Sequence, residues 1–268
     1  MDTVLTFVIP VVHPENTPKW AAVKAQLEQT IRSIQAQTHP GWRAVIVANE
    51  GADLPDVPER FEIIRVDFGP NLIPRARWVD NAVSVGAVCR DKGRRILTGM
   101  LSRRDTQFYM TVDADDFISK RLVAFVAKNP SAYGWEIKNG YVWGDGGLIL
   151  FRHDELSLVC GTCLIVRADL YGLPERFEAA SDDYIKTMIG SHRLISGILA
   201  EQNTPLATLP FRGAVYRVGH PTSQRNSPMV MRRYCFDWKF LHRPRKALRS
   251  LLNLQLKTPG IRREYFGG

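Results

Sequence analysis

Phe108-Tyr109-Met110-Thr111-Val112-Asp113-Ala114-Asp115-Asp116-Phe117-Ile118-Ser119 is an apolar run that stops on three carboxylates. The aromatic and β-branched residues from 108 to 112 predict a buried strand. Asp113 and Asp115 are two apart, so an extended backbone points both side chains to one face. Like charges roughly 5 Å apart at an effective dielectric near 20 repel by about 3 kcal/mol. A hard divalent cation with oxygen ligands, Mg2+ or Mn2+, offsets that repulsion, and such a cation usually shares its site with a substrate phosphate. The alternative is that Asp115 and Asp116 cap a helix beginning near Phe117. On this stretch alone both readings stay open.

Before the acidic run, residues 5–12 are β-rich and broken at Pro10. Residues 20–34 carry Val23, Leu27, Ile31 and Ile34 at spacings of four, four and three, an amphipathic helix. Residues 42–48 and 61–66 read as two more strands. This strand–helix–strand–strand opening predicts a parallel sheet whose ligands lie at the carboxyl ends of its strands. Residues 67–88 read as a loop leading into a helix, and 92–100 as a helix with arginines at its start. After the acidic run, a helix is expected over 120–128, ended by Asn129-Pro130. Short strands are expected over 135–137, 148–151, 164–166 and 214–218, and helices over 182–189 and 195–201.

The 268 residues are 45% hydrophobic and 24% charged, ordinary for a soluble globular protein, and no apolar stretch reaches the roughly 18 residues of a membrane span. The first residues lack a basic leader, so no signal peptide is expected. Four scattered cysteines do not suggest a disulfide framework, which makes a reducing cytoplasm the expected location. The net charge of +9 is concentrated between Arg232 and Arg263, where ten Lys and Arg face Asp237 as the only acid. That asymmetry argues against a nucleic-acid-binding body and for a domain over 1–222 with a basic extension over 223–268. Aromatic residues and leucines interleave with the cations there. The pattern suits a segment lying on an anionic membrane surface, or a helix packed on the body.

The sequence has no GxxxxGK[ST] and no GxGxxG after the first strand, which disfavours P-loop and dinucleotide chemistry. Cys160-Gly161-Thr162-Cys163 lacks further zinc ligands and runs on into a strand, so it reads as small residues passing close to a substrate. A metal-assisted group transfer needs a carboxylate to take up a proton, and Asp182 and Asp183 are candidates. As the other possibility, both are first-turn helix charges.

Several of these pieces together resemble the A-type glycosyltransferases, in particular the family-2 group that uses nucleotide-diphosphate sugars. Phe7-Val8-Ile9-Pro10 is similar to the family's first strand, and Asn49-Glu50-Gly51 to the end of its second. Asp91-Lys92-Gly93-Arg94-Arg95 stands where the family has a helix start facing the donor. Val112-Asp113-Ala114-Asp115 resembles its Asp-x-Asp motif, Ser181-Asp182-Asp183 its acidic pair, and Arg217-Val218-Gly219-His220 its late Arg-x-His element. The resemblance covers residues 4 to about 222. It departs from the family where Asn-Glu replaces paired aspartates and where Asp-Lys-Gly replaces Asn-x-Gly.

The resemblance implies an α/β fold: a single A-type domain with a Rossmann-like, mostly parallel central sheet flanked by helices, followed by a basic helical tail. It implies that Asp113, Asp115 and His220 hold Mn2+ or Mg2+. Pro10, Glu50, Lys92, Arg94 and Asp113 would contact the nucleotide, Asp183 would be the base, and Asp182 would stand beside it. The implied partners are a UDP-sugar donor and a carbohydrate or lipid-linked acceptor, without nucleic acid. Asp116 is left as a helix cap, His192 as a helix C-cap and Trp143 as the aromatic residue most suited to stack on a sugar. A nucleotidyltransferase is the enzyme rival, disfavoured because Val11-Val12-His13-Pro14 is not a glycine-rich basic loop. A non-catalytic scaffold is the other, and it has no need of these carboxylates.

Overall fold

The computed structural model describes residues 3–71, 82–219 and 251–268. In chain order the strands are β1 (Thr3–Pro10), β2 (Trp42–Asn49), β3 (Phe61–Val66), β4 (Thr106–Thr111), β5 (Phe117–Ile118) and β6 (Gly134–Glu136). Then come β7 (Gly140–Gly144), β8 (Ile149–His153), β9 (Leu164–Arg167), β10 (Ala207–Thr208), β11 (Ala214–Val218) and β12 (Leu254–Leu256). The helices are α1 (Trp20–Gln35), α2 (Ala82–Ser102), α3 (Leu122–Ala127), α4 (Asp182–Tyr184), α5 (His192–Glu201) and α6 (Pro259–Tyr265).

A seven-stranded sheet has the order β10-β6-β9-β4-β1-β2-β3. The neighbours β4, β1, β2 and β3 are all parallel. Only β9 runs against its neighbours β4 and β6. The expected mostly parallel central sheet is therefore present. Leu5, Phe7, Val8 and Ile9 are all buried, the near-continuous apolar run of a strand covered on both faces. Helix α2 packs against β1, β2 and β3, and α3 against β1.

Helix α2 starts ten residues earlier than the helix expected over 92–100. The helix expected at the end of residues 67–88 and the one over 92–100 are a single element that runs through Gly86, Gly93 and Gly99. Two of these glycines are there for close approach. A Cβ on Gly99 would come within 2.7 Å of Val8, and one on Gly93 would run into the Ile185 carbonyl.

A second sheet, β12-β8-β7-β11-β5, was not foreseen as a separate layer. Along β7, Tyr141 and Trp143 face a small cluster with Phe117, Leu150, Val215 and Tyr265, while Val142 joins the main core. That alternation follows the two-residue period of a strand. Trp143 is thus a core residue, edge-on to Phe117 at 5.7 Å, and not the exposed sugar platform expected. The chain's end packs here too. β12 pairs antiparallel with β8, Tyr265 is buried, and its hydroxyl donates to the Arg212 carbonyl at 2.7 Å.

The helix expected over 182–189 is one α-turn, Asp182–Tyr184, continuing as a π-helix, Ile185–Ile189. His192 opens α5 and does not close the helix before it, which ends at Gly190. Among the described residues no helix is long and apolar enough to cross a membrane.

Candidate active site

The carboxyl ends of β4, β1 and β2 form one edge of the main sheet. The Val112 N–H donates to the Val8 carbonyl at 2.9 Å, and the Val11 N–H to Val47 at 2.9 Å. Pro10, Glu50 and Asp113 leave the sheet at this edge. Pro10 is tolerated in a central strand because, as its last residue, it has no further ladder bond to donate. Glu50 is an exposed turn residue whose N–H donates to Val66 at 3.0 Å.

Residues 113–116 make a turn, closed by the Asp116 N–H donating to the Asp113 carbonyl at 3.1 Å. Asp113 and Asp115 are half-buried on it, whereas Asp116 is 0% exposed. No helix follows, so Asp116 is not a cap. β5 comes next, and α3 starts only at Leu122. The Asp116 carboxylate instead ties three segments together. Thr162 Oγ1 donates to its Oδ2 at 2.6 Å, Cys160 Sγ at 3.2 Å, and the Arg217 N–H donates to Oδ1 at 3.1 Å. Burial, then the charges of Asp115 and Asp113, push the Asp116 carboxyl well above its ordinary value, against the bonds from Thr162 and Arg217.

Thr162 also accepts from the Asp113 N–H at 2.9 Å, which accounts for one residue of the Cys-x-x-Cys stretch. Gly161 accounts for another, because a Cβ there would lie 2.5 Å from Lys92 Nζ and 2.7 Å from Asp113 Oδ2. The two cysteines are buried free thiols whose pKa values burial raises.

Lys92, from α2, forms an ion pair with Asp113. Burial works against its ammonium, but the Asp113 carboxylate outweighs that and holds the lysine above its ordinary value. Arg94 is engaged elsewhere. It pairs with Asp91 at 2.5 Å, bonds the Gly69 carbonyl and lies over the Phe68 ring at 4.6 Å.

Asp182 and Asp183 begin the segment that packs on α2 through Gly93 and Gly190. Ser181 caps this start, accepting from the Tyr184 N–H at 3.1 Å. Asp182 is paired with Arg90 and, at 2.5 Å, with Lys186, and these cations, Lys186 first, hold its carboxyl below the ordinary value. Asp183 is exposed, and among the described residues its carboxylate has no ion-pair partner. His220 lies outside the described residues.

Among the described residues no three His, Cys, Asp or Glu side chains converge as a preformed metal site. The chemistry of the turn nevertheless fits a hard divalent cation, because Asp113 and Asp115 offer half-exposed carboxylate oxygens at the sheet edge. Lys92 is the competing cation on Asp113.

Arg217 had no assigned role in the sequence reading. It is 1% exposed, donates to Gln29 Oε1 at 2.7 Å, stands 3.9 Å from Asp145 and lies over the Phe117 ring at 4.6 Å. Burial holds its guanidinium below the ordinary value, against the carboxylates of Asp145, Asp115 and Asp116. The available signals were its place in the Arg-x-His element and a charged residue inside an otherwise apolar strand.

No protein-family model matches the chain, and no curated protein matches it. Among solved structures, the S. aureus TarS 1-349 crystal structure is similar at 12% identity and a TM-score of 0.43, covering 80% of this chain and 60% of that one. The chain therefore spans less than two thirds of that chain's length. The crystal structure of Rv0371C with manganese, from Mycobacterium tuberculosis H37Rv, is similar at 8% identity and a TM-score of 0.34, covering 82% of this chain and 91% of that one. Both are distant likenesses of fold and carry nothing about chemistry.

Proposed function

We propose that the protein is a metal-dependent glycosyltransferase that moves a sugar from a UDP-sugar to a hydroxyl of a carbohydrate or lipid-linked acceptor. The observation that carries the reading is the turn 113–116. It presents Asp113 and Asp115 at the carboxyl end of a central parallel strand, where α/β sheets bind their ligands. The motif resemblance gives that turn its chemistry.

In this reading Asp113 and Asp115, with His220, would hold Mn2+ or Mg2+, and the ion would supply positive charge for the departing diphosphate. Lys92 adds a fixed cation at the same end, and Pro10 and Glu50 border the nucleotide. Arg94 was expected on the diphosphate too, but its bonds to Asp91 and Gly69 suit it better to holding the loop after β3. Asp183 takes the proton from the acceptor hydroxyl as its oxygen bonds to the sugar's anomeric carbon. The bond from that carbon to the diphosphate breaks, and the electron pair leaves with UDP. Attack from the face opposite the leaving group inverts the anomeric centre. Asp182, engaged by two cations, is suited to bracing this segment rather than to accepting a proton.

Titration calorimetry with UDP and Mn2+, on the wild type and on Asp115→Ala, tests the reading. Metal-dependent UDP binding that the substitution abolishes is expected. Binding that is absent, or indifferent to Mn2+, refutes it. Slow hydrolysis within a panel of UDP-sugars then identifies the donor.

A further inference from the structure

Asp113 is one of the two carboxylates read as metal ligands, and its side chain is paired with a cation of the chain itself, Lys92. The lysine is held to this task. It stands on α2 next to Gly93, where the missing Cβ lets the helix press on the Ile185 carbonyl, so its stem leaves from a fixed backbone. The adjacent Asp91 is engaged by Arg94 and Arg95, and among the described residues Asp113 is the only carboxylate that Lys92 pairs with. Asp113 is anchored as well, through its N–H on Thr162.

The pair is nevertheless open to exchange. The two side chains are 22% and 29% exposed, so an ion from solvent reaches both. Gly161 keeps the space beside them clear, because a Cβ there would lie 2.5 Å from Lys92 Nζ and 2.7 Å from Asp113 Oδ2. A cavity of about 20 Å3 opens next to the lysine, walled by Ile96, Leu164, Met188 and Ile195, with room for about one water-sized group. A lysine stem is flexible and its ammonium is a compact point charge, so it changes partners more readily than the rigid fork of an arginine.

Two cations on one carboxylate repel, so Lys92 opposes a divalent ion at Asp113. A nucleotide diphosphate reverses this, because its oxygens accept from the ammonium and bind the ion together. We propose that Lys92 is a placeholder on Asp113 that makes metal loading depend on the nucleotide. Its ammonium weakens metal binding to the nucleotide-free protein and passes to the diphosphate when the donor arrives. The inference rests on the metal-dependent reading above. By linkage, the same exchange makes each ligand tighten the other.

Electron paramagnetic resonance of free Mn2+ measures metal binding without nucleotide, and calorimetry measures UDP binding with and without Mn2+. Lys92→Met and Lys92→Gln remove the charge at similar side-chain length. Each should bind Mn2+ alone about tenfold more tightly than the wild type. The gain in UDP affinity on adding Mn2+ should shrink by about the same factor, since the two couplings are one quantity. Unchanged or weaker Mn2+ binding, in either variant that keeps the wild-type melting temperature, overturns the proposal. So does an undiminished effect of Mn2+ on UDP. A wild type whose UDP binding ignores Mn2+ refutes the metal-dependent reading itself, and the placeholder falls with it.

Discussion

The Arg217 N–H donates to Asp116 Oδ1 at 3.1 Å, joining a strand near the chain's end to a turn 101 residues earlier. Through Thr162 and Cys160, the same carboxylate also fastens the segment before β9. Asp113 and Asp115 thus stand on a turn held from beneath by a buried post.

Removing that post has a defined cost. Asp116→Ala leaves the Thr162 hydroxyl, the Cys160 thiol and the Arg217 N–H without their acceptor, and should destabilise the protein by about 3 kcal/mol. Asp116→Asn keeps an acceptor for Arg217 and can turn its amide toward Thr162, so its stability at neutral pH should stay within about 1 kcal/mol of the wild type. The sign with pH follows from the raised carboxyl. The folded protein holds this proton where the unfolded chain has lost it, so Asp116 contributes most at low pH. That contribution falls as pH rises above the ordinary carboxylate range. Thermal melts from acid to neutral pH should show the slope in the wild type and its absence in Asp116→Asn.

Two glycine substitutions should separate the site from the fold. In Gly161→Ala the new methyl meets the ends of the Lys92 and Asp113 side chains, which can swing away. The melting temperature should barely move, while UDP affinity, measured by calorimetry, falls. In Gly190→Ala the methyl meets the Cys89 backbone carbonyl, which is fixed within α2. A loss of about 3 kcal/mol is expected in denaturant unfolding.

The acidic pair should divide by role. Asp183→Asn should lower turnover of the donor about a hundredfold or more, with UDP affinity unchanged. Asp182→Asn should keep most of the turnover, because its partners Arg90 and Lys186 engage it structurally. Single-turnover kinetics and UDP titrations on both variants check this.

Lys257 should titrate unusually low. Burial, then the charges of Arg262 and Arg217, bring its amine down to about 8. The Trp143 and Phe266 rings, at 4.0 and 3.6 Å, favour the ammonium and oppose the shift. With a folded value below that of the unfolded chain, this group makes stability rise between about pH 8 and about pH 10.4. Chemical denaturation across that range should show the rise, and Lys257→Met should remove it.

The opening strands and α1 were legible because their periods are local: apolar runs in β1 and β2, and Val23, Leu27, Ile31 and Ile34 along one face of α1. The Asp113–Asp115 pair was legible for the same reason. Helix α2 read as two pieces, one at the end of 67–88 and one over 92–100, and the need for Gly93 and Gly99 becomes visible only once Ile185 and Val8 are packed against them. Trp143 looked like a sugar platform because a sequence does not show which aromatic rings bury one another.

The sequence by itself determined the parallel opening of the sheet and the acidic end of β4, both written within a few consecutive residues by side-chain period and charge. The tertiary structure decided what each carboxylate does: Asp116 a buried post, Asp113 the partner of Lys92, Asp182 held by two cations and Asp183 exposed. Those assignments depend on burial and on partners tens of residues away, and burial is what sets whether a carboxylate is anchored or left to react.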